Sequence, residues 1–279
     1  MKARMPISPL EYTRRWWMRS LVAAVLVFLY APIFAMMIFS FNDSKRTVVW
    51  EGFSLQPYRD LLQQQSLLDA LGNSLIIAVC TTILATTIGT MLAIALWRFS
   101  FRGKAVLEAL NGLPIVIPEI CMGVALMIFF SSIGWPTTLP WPLSLVSIIL
   151  AHTAFCFPFV TLVVRARLSG FDRSLEEAAT DLGANTWQVF RDIILPYLRP
   201  GLIAGGLLAM TLSLDDFVIT FFTSSPETLT FPVKIYSQVR MSVKPYINAA
   251  STILILVTVA VTVATAYYYQ RTAMRNGQK

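Results

Sequence analysis

The stretch SLEEAATDLGANTWQVFRDIILPYLRP, Ser174 to Pro200, is a polar, helix-coded segment set between two long apolar runs. Ser174 followed by Glu177 has the spacing of a capping box, so a helix is expected to begin there. Glu176, Glu177, Ala178, Ala179 and Leu182 are mostly good helix formers, and Gly183 suits a left-handed C-terminal cap. Asn185 with Gln188 repeats the N-terminal signal for a second helix. Val189, Ile193 and Ile194 give it an apolar stripe, and Pro196 with Pro200 is expected to end or bend it. The segment reads as two short helices lying at a membrane surface.

The rest of the chain supplies the membrane. Of 279 residues, 56% are hydrophobic and 13% charged, and the mean hydropathy is +0.65. That leaves too little polar surface for a soluble domain of this length. Barrel strands would appear as alternating segments of about ten residues. The apolar runs here are about 20 residues or longer, which at about 1.5 Å per residue matches a hydrocarbon core of about 30 Å. Six spans are expected, at about 20–41, 73–97, 105–131, 143–165, 201–222 and 247–269, with kinks at the prolines inside the first, third and fourth. The fold class is thus all-α and polytopic, one transmembrane domain over 20–269 with tails at 1–19 and 270–279. The first span is longer than a signal-peptide core and no convincing small-x-small site follows it, so it is expected to be retained.

Sixteen of the 22 Lys and Arg residues fall on one side of these spans, in both tails, around Arg98 to Lys104 and in the loop after the fourth span; six fall on the other. The excess marks the cytoplasmic side, so both termini are expected there. The net charge of +7 is accordingly a topology signal, not a nucleic-acid patch. The opposite side carries three loops: 42–72, polar enough for a short element; 132–142, with two Trp-Pro pairs suited to an interfacial turn; and 223–246.

Chemistry of the chain's own is hard to find. Cys80, Cys121 and Cys156 are scattered within apolar runs and read as small hydrophobes, with no metal site in view. The single histidine, His152, lies inside a span and reads as packed or hydrogen-bonded. No G-x-x-x-x-G-K-[ST] phosphate loop occurs, so ATP hydrolysis must reside elsewhere. Three carboxylates do stand out. Glu119 lies in the third span, and Asp215 with Asp216 in the fifth. Each costs about 2.5–3.5 kcal/mol at a helix centre, which makes each a functional-site hypothesis. A straight helix from Gly201 puts Asp215 about 21 Å up, in the outer half, and Ala105 to Glu119 rises equally. Ammonium groups on a methylene chain would suit such carboxylates, with Phe217, Phe221 and Phe222 offering aromatic faces. Adjacent residues on a helix point about 100° apart, so Asp215 and Asp216 cannot share one direction. One of them could equally cap a broken helix or pair with a basic or backbone group.

One spacing goes further. Glu177-Ala178-Ala179, three residues, Gly183, nine residues, then Ile193-x-Leu195-Pro196 resembles the EAA signature of permease subunits of bacterial ABC importers. The stretches YAPIFAMMIFSFN, LPIVIPEI, LSLDDFVITFF and FPVKIYSQVRMSVKPYINAASTIL extend the resemblance over nearly the whole chain, toward the shorter, six-span permease of spermidine/putrescine-type importers. Permeases for opines, 4-aminobutyrate and 2-aminoethylphosphonate share much of them. The resemblance implies a type I importer permease fold in a bacterial inner membrane and no enzymatic activity in this chain. It implies a coupling loop at about 167–200, in which Glu177, Ala178, Ala179, Gly183, Ile193, Leu195 and Pro196 serve an ATPase subunit that uses ATP and Mg. It further implies a second permease, two ATPase subunits, a periplasmic binding protein, and a polyamine path with Glu119, Asp215, Asp216, Phe217 and Phe221 as candidates. A self-sufficient secondary transporter is the alternative from another class.

Overall fold

The computed structural model describes residues 16–44, 49–133, 144–241 and 244–276. The Trp-Pro loop lies almost wholly outside the described residues, as do most of the N-terminal tail and residues 277–279. The chain forms two compact units, residues 1–65 with 238–279 and residues 66–237.

The first unit contains α1 (Trp16–Phe39), α2 (Gln56–Gln63) and α12 (Pro245–Asn276), which packs on both. The apolar stretch of α1 buries nothing, as suits a helix turned to lipid. Asn42 organises the loop after it. Its buried side chain donates to Val49 O at 2.6 Å and accepts from Glu51 N at 2.9 Å. Phe41 stacks on Phe53 and leans on Tyr58, whose hydroxyl meets Ser40 Oγ at 2.8 Å. Among its described residues, the 42–72 loop thus holds a short element, as expected: α2 and the contacts that precede it.

The second unit is built around α6 (Leu145–Leu168), half of whose residues are buried. Small residues let its neighbours approach, the usual device where helices pack within a membrane. A Cβ on Gly89, in α3 (Gln65–Arg98), would stand 2.8 Å from Phe157 O and from Val160 Cβ. Gly201, Gly205 and Ala209 make a buried stripe along α9 (Leu195–Asp215), and a Cβ on Gly205 would meet Val160 at 3.1 Å. The expected third span is two helices, α4 (Lys104–Val116) and α5 (Glu119–Ser132), bent by 109° at Ile117–Pro118. Pro118 has no N–H and disfavours helical dihedrals in Ile117, which permits a turn there; Pro114, with the same chemistry, stays inside α4.

Between α6 and α9 lie α7 (Ser174–Asp181) and α8 (Thr186–Val189). Of the two outcomes expected at Pro196 and Pro200, an end to the second helix does not occur. A π-helical turn at Phe190–Ile194 carries it into α9, giving one helix over Thr186–Asp215. Leu195 N donates to Phe190 O, five residues back, and this wider turn immediately precedes the first proline. Two short helices close the unit: α10 (Val218–Thr223) and the start of α11 (Phe231–Met241).

By length and composition, four helices among the described residues can cross a membrane, or five with α4 and α5 counted as one span. The expected sixth span falls on α12, of which Pro245–Ala260 is a shorter apolar helix.

Candidate functional site

Two regions collect the residues singled out above. The first is the polar loop. Its helix α7 starts differently from the expected capping box. Ser174 is already the first helical residue, and Asp172 Oδ1 accepts its N–H at 2.9 Å. These bonds, the backbone one foremost, hold the Asp172 carboxyl below the usual carboxylate range. The C-terminal end follows expectation. Gly183 has φ +87°, Ala184 N donates to Ala179 O and Gly183 N to Thr180 O, the bond pair of a Schellman cap. Asn185 and Gln188 exchange both bonds of a capping box, at 2.8 and 2.9 Å. A helix so closed at both ends is stiff.

Its two glutamates differ. Glu177 and Ala178 are exposed and Ala179 is half-buried. Glu176 is buried, and Oε2 accepts from Arg98 Nη1 at the C-terminal end of α3. Leu182, at 90% exposed, and Trp187, at 64%, are open apolar side chains in the same polar loop as the exposed Glu177 and Ala178. Ile193, Leu195 and Pro196 are half-buried at the junction with α9. Sequence reasoning passed over the roles of Glu176 and Arg98, because a Glu-Glu pair does not declare which member turns inward.

The second region is the end of α9. The helix stops at Asp215, and the two aspartates part there. Asp215 is exposed; Asp216 is buried. Asp216 has extended backbone (ψ 125°) and serves α10. One carboxylate oxygen accepts from Thr220 N at 2.8 Å and Thr220 Oγ1 at 2.9 Å, the other from Ile219 N at 3.3 Å. His152 Nε2, from α6, lies 3.2 Å from Asp216 Oδ2 and 2.9 Å from Thr220 Oγ1. His152 Nδ1 reaches Ser213 Oγ at 2.8 Å. The buried carboxylate is thus spent on the chain itself: it satisfies the free N–H groups of a broken helix and ties the break to α6. The histidine expected to be packed or hydrogen-bonded is the pin of this knot.

Beyond the break, Phe217 leans on Phe221 (centroids 5.6 Å apart) and on Tyr236 (4.8 Å). Phe221 and Tyr236 are each about half exposed. An exposed carboxylate followed in the chain by an open aromatic shelf can receive an alkylammonium group. Tyr236 was not among the sequence candidates, being distant in the chain. Glu119 is exposed in the first turn of α5. It sits one turn before Gly123, where a Cβ would stand 2.8 Å from the Phe222 ring, so it shares the face of α5 that meets α10. The straight rise assumed for Glu119 does not apply across the 109° bend.

The comparisons agree with this architecture. A family model described as binding-protein-dependent transport system inner membrane component matches residues 85–274. The putrescine transport system permease protein PotI of Escherichia coli (strain K12) is 41% identical over 251 residues, 88% of each chain. The spermidine/putrescine transport system permease protein PotC of the same strain is 38% identical over 243 residues, 87% of this chain and 90% of PotC. Among solved structures, a chain of a bacterial ABC transporter that imports the acidic polysaccharide alginate matches with a TM-score of 0.69 and 15% identity. It covers 95% of this chain and 99% of that one. The chain belongs to the inner membrane components of binding-protein-dependent transport systems and has the type I ABC importer permease fold.

Proposed function

We propose that this chain is half of the translocation path of an ATP-driven polyamine importer, paired with a second permease. A periplasmic binding protein delivers cargo to the side that carries residues 42–72 and 223–246. Two ATPase subunits, using ATP and Mg, act on the other side, where both termini lie. The observation that carries the substrate class is the similarity to a putrescine permease and a spermidine/putrescine permease over nearly nine-tenths of the chain. The end of α9 suits that cargo. Asp215 supplies a carboxylate for an ammonium group, and Phe217, Phe221 and Tyr236 supply faces for its methylenes. Glu119 is a second carboxylate for the same path. Asp216 is withdrawn from it by the bonds it makes within the chain.

Coupling runs through α7. Its exposed Glu177 and Ala178, with Leu182 and Trp187 after it, meet an ATPase subunit. Closure of the ATPases on ATP moves α7, and the continuous helix from Thr186 to Asp215 carries the motion to the carboxylate. The cavity then alternates between the cytoplasmic and the outer side.

The test is reconstitution in lipid with a candidate second permease, ATPase and binding protein. Spermidine- or putrescine-loaded binding protein is expected to stimulate ATP hydrolysis and uptake. Stimulation only by an opine, 4-aminobutyrate or an aminophosphonate would overturn the substrate class. Uptake by this chain alone would overturn the subunit assignment.

A further inference from the structure

The coupling helix is gripped by its own chain at a residue next to the one it offers outward. Arg98, the last residue of α3, donates to Glu176 in the first turn of α7. The second oxygen of Glu176 is buried and has no partner among the described residues, so the carboxylate depends on Arg98 for its charge balance. The grip continues in aromatic groups. The Arg173 guanidinium lies 4.9 Å over the Trp97 ring, and its Nη2 reaches Trp97 O at 3.4 Å. Trp97 meets Phe171 edge-on at 5.6 Å, and Phe171 meets Tyr197 at 5.0 Å. Arg167 covers Tyr197 at 4.3 Å. One unbroken set of contacts therefore joins the end of α3, the α6–α7 turn and the start of α9.

We propose that Arg98 and Glu176 are positioning residues that make α7 move as one body with the end of α3, so that ATPase motion enters the second apolar span as well as the fifth. This rests on the coupling role of α7 proposed above. The two glutamates then divide the work: Glu177 faces the ATPase subunit, and Glu176 faces inward and transmits. A helix held only through its continuation into α9 would swivel about the loop at Gly183–Asn185. The ion pair removes that freedom, because it fixes the opposite end of α7.

The experiment uses the reconstituted complex, with Cys80, Cys121 and Cys156 replaced by Ser or Ala. In the double variant Arg98→Cys/Glu176→Cys, substrate transported per ATP hydrolysed is expected to fall about tenfold, within the range by which single contacts modulate coupling. A short bis-maleimide joining the two cysteines is expected to restore most of that ratio, since the tether replaces the pair without its charges. An unchanged ratio before tethering, or a ratio that stays low or falls further after it, overturns the proposal. Glu177→Lys is measured alongside. If it leaves ATPase stimulation intact, the coupling role of α7 fails. If it abolishes stimulation while the tether restores nothing, only the Arg98–Glu176 proposal fails.

Discussion

Asp215 and Asp216 share a side-chain type and adjoin in sequence, yet the structure separates them: Asp215 is exposed and Asp216 is bonded within the chain. Asp216 accepts three bonds inside the chain and lies against a buried histidine, so its removal leaves the N–H groups of α10 unpaired. Each buried donor so stranded costs about 1–3 kcal/mol. Asp216→Ala should therefore lower the melting temperature of the detergent-solubilised complex and its yield. Asp215→Asn should leave both unchanged and raise the KM for polyamine uptake severalfold. Equal melting losses in the two variants would dissolve the distinction. His152→Leu should resemble Asp216→Ala, because it removes the pin that joins α6 to the break. The two aspartates were legible in the sequence as a costly pair in an apolar run. Which one turns inward was not, since the decision lies in a helix end and in a histidine more than sixty residues earlier in the chain.

At the scale of elements, glycines and caps decide how closely helices meet and how stiffly they end. Gly89 has no room to grow. An alanine there would set its Cβ 2.8 Å from a carbonyl oxygen and a branched carbon of α6, neither of which is a flexible side-chain tip. Gly89→Ala should destabilise the fold by about 1–3 kcal/mol, the usual cost of overpacking, read as a lower melting temperature in lipid nanodiscs. Gly183 has open space but a left-handed backbone. Gly183→Val should cost about 1–2 kcal/mol at that cap, fray α7 in hydrogen exchange and weaken ATPase stimulation. At the other end, the Asp172 cap is present above the ordinary carboxylate pKa and is lost as pH falls through its lowered folded value. Amide protection at the start of α7 should fall with it, and should not change with pH in Asp172→Asn. The Gly183 and Asn185–Gln188 caps were readable because their partners sit within a few residues. The π turn before Pro196, and the choice of Pro118 over Pro114 as the hinge, were not. Both depend on how the helices pack against their neighbours, and local propensity is silent on that.

For the molecule as a whole, one contact constrains how the chain crosses between α3 and α7. Arg98 closes α3 and Glu176 opens α7, and they touch, so the C-terminal end of α3 and α7 lie on the same side of the membrane. Between them the chain runs through α4, α5 and α6. The buried, apolar α6 is long enough to cross once. A return to the starting side needs an even number of crossings, so α4 and α5 together must cross once despite their 109° bend. A re-entrant pair that returned to its own side would leave α7 opposite Arg98 and forbid the contact. The basic excess around Arg98–Lys104 is the ground for expecting that shared side to be the cytoplasmic one. With the native cysteines replaced, single cysteines at Ser100, Ser132 and Ser169 test the count, using a membrane-impermeant maleimide on sealed spheroplasts. Ser132, at the end of α5, is expected to react from outside. Ser100 and Ser169 are expected to react only after the membrane is opened. Protection of position 132 until opening would make the α4–α5 pair re-entrant. The expected pattern would account for five crossings through α9, with α12 left to supply the sixth.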